Sequence, residues 1–167
     1  MLILFIDDSQ TRHNTIERYF GKEHTVLHTY DYEETVKTIT SCKNKIGLAM
    51  FDHDLGDYSC PNCSIKLTYK VSPGGIIDHP RSAYCFDCKW KYGDDGVIAE
   101  RTGDTIVRHM IEFIPEEKWP ATAIVHSHNG DRAKYMVNDL TKAGIFTRRL
   151  LYSTDMIQAL ALELAEQ

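Results

Sequence analysis

No long apolar run interrupts this 167-residue sequence. The N-terminal run, Leu2 to Ile6, is far short of the roughly 20 residues a membrane-spanning helix needs, and no basic flank precedes it as in a signal peptide. An intracellular, cytoplasmic protein without a membrane partner is expected. Excess charge of one sign is also missing. Lys and Arg number 19 against 24 Asp and Glu, a formal net charge of −5, so attraction to nucleic-acid phosphates is not a global property of the chain. Proline (5) and tryptophan (2) are scarce, and no repeat or low-complexity tract is visible. Collagen-like and mucin-like chains are thereby excluded, and 43% hydrophobic with 26% charged residues excludes disorder. The length suits one compact core with a small appendage.

The regular elements read as an alternation. Leu2 to Ile6 is a continuous apolar run ending in Asp7 and Asp8, the pattern of a strand buried on both faces. Ser9 can cap a helix carrying Ile16, Tyr19 and Phe20 on one face, with Gly21 as its stop. A strand over Thr25 to Thr29, a helix from about Tyr32 to Thr40 and a second buried strand, Ile46 to Phe51, follow. That strand too ends in acid, at Asp52 and Asp54. Thr102 or Asp104 starts a helix with Ile106, Val107, Met110, Ile111 and Ile114 inward. Ala123 to Val125 is a third buried strand, ending in His126, Ser127, His128 and Asn129. A helix over Arg132 to Ala143, a strand over about Phe146 to Tyr152 and a helix over Thr154 to Glu166 complete the chain.

Between Asp57 and Gly96 the apolar periodicity disappears. This stretch holds four of the five cysteines as two CxxC pairs, Cys60/Cys63 and Cys85/Cys88, and is expected to be a zinc-ribbon insertion, 57–96. Each pair presents two thiolates from one tight knuckle, and four thiolates close a tetrahedral Zn²⁺, so this metal is expected to be structural. Cys42 stands alone and is expected to be a buried thiol. The insertion has no net charge to draw phosphate. Its aromatics, Tyr58, Tyr69, Tyr84, Phe86, Trp90 and Tyr92, suit a mini-core better than base stacking, so nucleic acid is the weaker partner.

Without the insertion, residues 1–56 plus 97–167 give five strands alternating with five helices. The expected fold class is α/β: a flavodoxin-like, five-stranded parallel sheet in the order 2-1-3-4-5. Ligands of such sheets bind outside the carboxyl ends of the strands, near the point where the order reverses. Asp7/Asp8, Asp52/His53/Asp54 and the His126 to Asn129 segment all fall at that edge. Carboxylates held together call for a cation. Oxygen ligands alone suit Mg²⁺, whereas His53, His126 and His128 add imidazole and shift preference toward Mn²⁺, Fe or Zn²⁺.

The acidic pair ending strand one, Phe-Asp52-His-Asp54-Leu-Gly56 ending strand three, and the β/α alternation resemble the receiver domain of two-component response regulators. That resemblance implies Asp7 and Asp8 as an acidic pair binding Mg²⁺ and Asp52 as phosphoacceptor. The chain departs from it in having His126-Ser127-His128-Asn129 where a receiver has Thr or Ser, and Arg148-Arg149-Leu150 where a receiver has Lys-Pro. These departures resemble the cyclic-phosphate-processing receiver-like family, with its acid followed by Arg (Asp7, Asp8, Arg12), its Asp-x-Asp-Leu-Gly segment (Asp52, Asp54, Gly56) and its His-Ser/Thr-x-Asn segment (His126, Ser127, Asn129).

What this second resemblance implies is hydrolysis of a nucleotide-derived cyclic phosphate. The residues permit it. Mg²⁺ or Mn²⁺ on Asp7, Asp8 and Asp52, with Asp54 beside them, would polarise phosphoryl oxygens. His126 or His128 would serve as acid or base, and Arg12 would bind phosphate. Ser127 and Asn129 would orient the substrate. If both histidines bind metal, the acid and base lie elsewhere. The alternatives are a receiver or pseudo-receiver signalling module and a zinc-ribbon protein that binds a partner or nucleic acid.

Overall fold

The computed structural model describes residues 1–55, 58–59, 99–100, 102–128 and 130–165. The chain divides into two compact units, Met1–Gly56 with Thr102–Gln167, and Asp57–Arg101. The first contains β1 (Leu2–Ile6), α1 (Gln10–Phe20), β2 (Thr25–Thr29), α2 (Tyr32–Ser41) and β3 (Leu48–Phe51). After the second unit it resumes with α3 (Gly103–Phe113), β6 (Thr122–Val125), α4 (Gly130–Lys142), β7 (Phe146–Arg149) and α5 (Thr154–Ala165). In the second unit, β4 (Tyr58–Ser59) pairs antiparallel with β5 (Ala99–Glu100). The four cysteines expected to bind zinc lie outside the described residues.

The main sheet has five parallel strands in the order β2-β1-β3-β6-β7, the 2-1-3-4-5 arrangement expected from the sequence. Its inner strands are buried on both sides, which is why they read as unbroken apolar runs. Leu4, Ile6, Ala49, Phe51, Ala123 and Val125 pack with Ile39 of α2, Val107 and Met110 of α3, and Met136 and Leu140 of α4. The alternate residues Ile3, Phe5, Leu48, Met50 and Ile124 pack with Ile16 and Phe20 of α1 and with Ile157 and Leu160 of α5. Each large side chain taken out of water on either face contributes about 1.5–3 kcal/mol.

The element ends follow local chemistry. Asp31 caps α2 by accepting from the Glu34 N–H at 2.9 Å. Gly144, at φ 86°, stands in the left-handed region that stops α4. Ser9 is the N-cap of α1 but its side chain caps nothing; its N–H donates instead to Asp7 Oδ1 at 2.8 Å. β3 begins at Leu48, two residues after Ile46, whose carbonyl accepts from the Ala121 N–H just ahead of β6. β7 stops at Arg149, and Tyr152 lies in the connection to α5. Cys42 is half-buried rather than buried, since it caps the exposed end of α2.

Candidate functional site

Ile6 of β1 stands in register with Phe51 of β3, and Phe51 with Val125 of β6. The next residues, Asp7, Asp52 and His126, therefore end three neighbouring strands at one level. The ladder continues through them: Asp52 N–H donates to the Ile6 carbonyl at 3.0 Å and His126 N–H to the Phe51 carbonyl at 2.9 Å. Side chains alternate along a strand, so all three project toward the face covered by α1 and α5. Arg12, in the first turn of α1, meets them there.

One guanidinium nitrogen of Arg12, Nη1, donates to Asp7 Oδ2 at 2.9 Å and to Asp52 Oδ2 at 3.0 Å. The other carboxylate oxygens are taken by main chain, Asp7 Oδ1 by Ser9 N–H and Asp52 Oδ1 by His53 N–H at 2.7 Å. His126 is fully buried, its ring stacked on Phe5 at 5.2 Å, and neither ring nitrogen has a hydrogen-bond partner. Its Nδ1 lies 3.8 Å from Asp7 Oδ2. The ring of Tyr152 lies under the guanidinium, with Arg12 Cζ 5.0 Å from the ring centroid.

The electrostatics follow from burial. Loss of water pushes the Asp7 carboxyl up to about 6, against the lowering effects of Arg12 and the Ser9 N–H. Burial, and after it the charge of Arg12, pulls the His126 imidazole down to about 3, so the ring is neutral at physiological pH. Asp8 is raised by desolvation and then by the charge of Asp52.

Asp7, Asp52 and His126 each offer a ligand atom within 4.8 Å of the others. Two carboxylate oxygens and an unpartnered imidazole suit a divalent cation that accepts nitrogen, so the residues fit the metal expected at this edge.

Of the residues singled out from the sequence, Asp7, Arg12, Asp52 and His126 come together. Asp8, Asp54 and His128 are exposed, and Ser127 is buried. Asn129 lies outside the described residues. Asp54 accepts from the His53 ring at 2.7 Å, because the chain turns after Asp52 and the alternation of a strand no longer applies.

Other residues of this edge carried no clear sequence signal. Tyr152 is one. Asp104 is another, expected only as a helix start: its carboxylate lies 3.5 Å from His53 Nε2 and 3.0 Å from Arg108, and it accepts from the Thr102 hydroxyl. The His53 bond, foremost among these, holds the Asp104 carboxyl far below the usual range. His53 is raised in turn: burial opposes its charge, but the bonds to Asp104 and Asp54 outweigh it. His13, buried beneath the site, bonds the Asp7 carbonyl through Nε2 at 2.7 Å.

Comparison with known proteins agrees with this architecture. Residues 2–142 match the cyclic-phosphate processing receiver domain family. Among solved structures, an adenylate cyclase from Rhodopirellula baltica is similar at a TM-score of 0.53 and 12% identity, over 97% of this chain and 84% of that one. The BeF3-activated DrrB receiver domain gives 0.50 at 11%, over 99% and 97%. A CheY-like response regulator receiver domain from Methanospirillum hungatei JF-1 gives 0.50 at 12%, over 99% and 94%. At these identities the likeness is one of fold. No curated protein matches the chain, and no helix among the described residues is long and apolar enough to cross a membrane.

Proposed function

Because the chain belongs to the cyclic-phosphate processing receiver domain family, we propose that the edge formed by Asp7, Arg12, Asp52 and His126 takes up a phosphoryl group and processes a nucleotide-derived cyclic phosphate. The observation behind this reading is the meeting of one guanidinium and one buried, unpartnered imidazole with two buried carboxylates at adjacent strand ends.

Asp7, Asp52 and His126 would hold a divalent cation, Mg²⁺ or Mn²⁺. Such a cation supplies Lewis-acid polarisation of phosphoryl oxygens. Arg12 contributes a planar fork of donors matched to those oxygens. His126, buried and neutral, would give a ring-nitrogen lone pair to the cation, which leaves the exposed His128 as the candidate for proton transfer at the leaving oxygen. Ser127 and Asn129 would serve as substrate contacts, and the exposed Asp8 and Asp54 add negative charge at the rim.

A second reading has at least equal support from the fold. Asp52 ends the central strand beside Asp7, and the sheet is shared with receiver domains. In this reading Asp52 is a phosphoacceptor and the domain a signalling or interaction module. One experiment separates the two. The chain and Asp52→Asn are incubated with Mn²⁺ and a panel of cyclic and linear nucleotides, followed by phosphorus NMR, and separately with acetyl phosphate, followed by intact mass. Turnover lost in Asp52→Asn supports processing. A stable phosphoryl adduct on Asp52 without turnover of any ester replaces it with the receiver reading.

For the insertion, we propose a structural zinc on Cys60, Cys63, Cys85 and Cys88. Elemental analysis of the purified chain is expected to give zinc equimolar with protein, and Cys60→Ser with Cys63→Ser to lose it. Zinc retained in that double variant would end the proposal.

A further inference from the structure

We propose that Arg12 is an exchangeable counter-ion. It fills the face of Asp7 and Asp52 that a divalent cation needs, and a cation entering there moves the guanidinium off the carboxylates, over Tyr152, to meet phosphoryl oxygens. The last step rests on the phosphoryl-handling reading above; the exchange itself does not.

Each carboxylate has one oxygen fixed by a main-chain N–H, from Ser9 for Asp7 and from His53 for Asp52. Both remaining oxygens, the two Oδ2 atoms, converge on the same Arg12 nitrogen at 2.9 and 3.0 Å. A cation bonded to this pair needs the space and the lone pairs that Nη1 uses. Guanidinium and cation are thus alternatives and not neighbours, and their mutual repulsion in a buried site enforces the choice.

The resting arrangement is also incomplete. Arg12 serves the carboxylates but leaves both nitrogens of His126 unpartnered, an unfavourable arrangement for a buried polar ring. A divalent cation would use all three residues and would neutralise both carboxylates, whereas one guanidinium neutralises only one charge.

Finally, the groups differ in freedom. The side chains of Asp7 and His126 are 0% exposed and that of Asp52 is 7% exposed, while that of Arg12 is 28% exposed. Arg12 has a way out toward solvent, and the Tyr152 ring already beneath it gives it an aromatic surface to follow. The carboxylates and imidazole have no comparable path. Metal uptake and presentation of a phosphate-binding arginine are then one event.

The test is Mn²⁺ affinity of the full chain with no phosphoester present, by calorimetry or by electron paramagnetic resonance of free Mn²⁺. Arg12→Gln is expected to bind Mn²⁺ at least tenfold more tightly than the unaltered protein, and Asp52→Asn to abolish binding. An affinity equal or weaker in a folded Arg12→Gln would make Arg12 a fixed clamp and overturn the exchange. In case that variant does not fold, the unaltered protein supplies a second readout: Mg²⁺ is expected to shift the Arg12 Nε–Hε resonance in a nitrogen–proton spectrum. An unmoved resonance at saturating Mg²⁺ overturns the proposal. Failure to process any cyclic phosphate, with the Mn²⁺ gain intact, would remove the functional reading and leave the exchange standing.

Discussion

Gly103, the first residue of α3, lies so close to Asp52 that a Cβ at this position would collide with the Asp52 carbonyl oxygen and crowd Met136. The Gly103 N–H donates to the neighbouring His53 carbonyl at 2.9 Å. The start of α3 is thereby pressed against the strand end that carries the central carboxylate. Only a hydrogen side chain permits that approach, and the glycine is needed for closeness rather than for an unusual φ.

Gly103→Ala is expected to destabilise the protein by about 1–3 kcal/mol, the range of an overpacked site. Because the atom it strikes belongs to Asp52, Mn²⁺ affinity is expected to fall together with stability. Urea unfolding and Mn²⁺ titration of the same preparation check this. Wild-type stability and affinity would mean that the helix shifts without moving Asp52.

The buried Asp7 carboxyl predicts the pH dependence of the metal-free protein. Its folded pKa of about 6 lies above the ordinary 3.8, so between these values the folded state holds a proton that the unfolded state has released. This contribution to stability is fully present below pH 3.8 and is lost as pH rises through about 6. The difference amounts to about 3 kcal/mol by linkage. Asp7→Asn, which removes the buried charge at the cost of one of the two acceptor oxygens used by Ser9 and Arg12, is therefore expected to be more stable than the unaltered chain at pH 7.5 in chelator. That advantage should vanish below pH 4. Asp104, with its depressed carboxyl, acts in the opposite sense: its contribution is present above pH 3.8 and declines as the medium is acidified below that point. Urea unfolding across the range is the measurement. An Asp7→Asn advantage that does not change with pH would show that burial of the charge is not its cause.

Much of this was legible in the sequence because two periodicities carried it. Unbroken apolar runs at Leu2–Ile6 and before Asp52 mark strands buried on both faces, and crossover handedness makes their sheet parallel with helices on both sides, as in the flavodoxin-like order expected. The strand ends then fix which polar clusters share an edge. What spacing alone did not resolve is which member of each cluster faces inward. Asp7 points into the site and Asp8 does not because Ile6 and Phe51 face α2 and α3, leaving the next residue for the α1 side. Counting by two from the core residues Phe5 and Ile124 reaches Asp7 and His126, a signal present in the sequence. Tyr152 and Asp104 left no comparable trace. Their roles arise from a loop and a helix start brought alongside by tertiary packing, which no local pattern encodes.

His126 separates function from stability. It is fully buried, stacked on Phe5, and hydrogen-bonded through neither ring nitrogen. A buried polar ring without partners weakens the fold, and an apolar side chain of similar volume removes that cost. His126→Leu is therefore expected to unfold at equal or higher urea concentration than the unaltered chain when both are metal-free, by up to about 2 kcal/mol after allowing for the lost stacking on Phe5. Its Mn²⁺ affinity is expected to drop at least tenfold, since the imidazole is the only nitrogen ligand among the three converging groups. Mn²⁺ should accordingly raise the melting temperature of the unaltered protein and leave that of His126→Leu nearly unchanged. If Mn²⁺ protects both proteins equally, the cation is held by the carboxylates alone and the imidazole is only a packed ring.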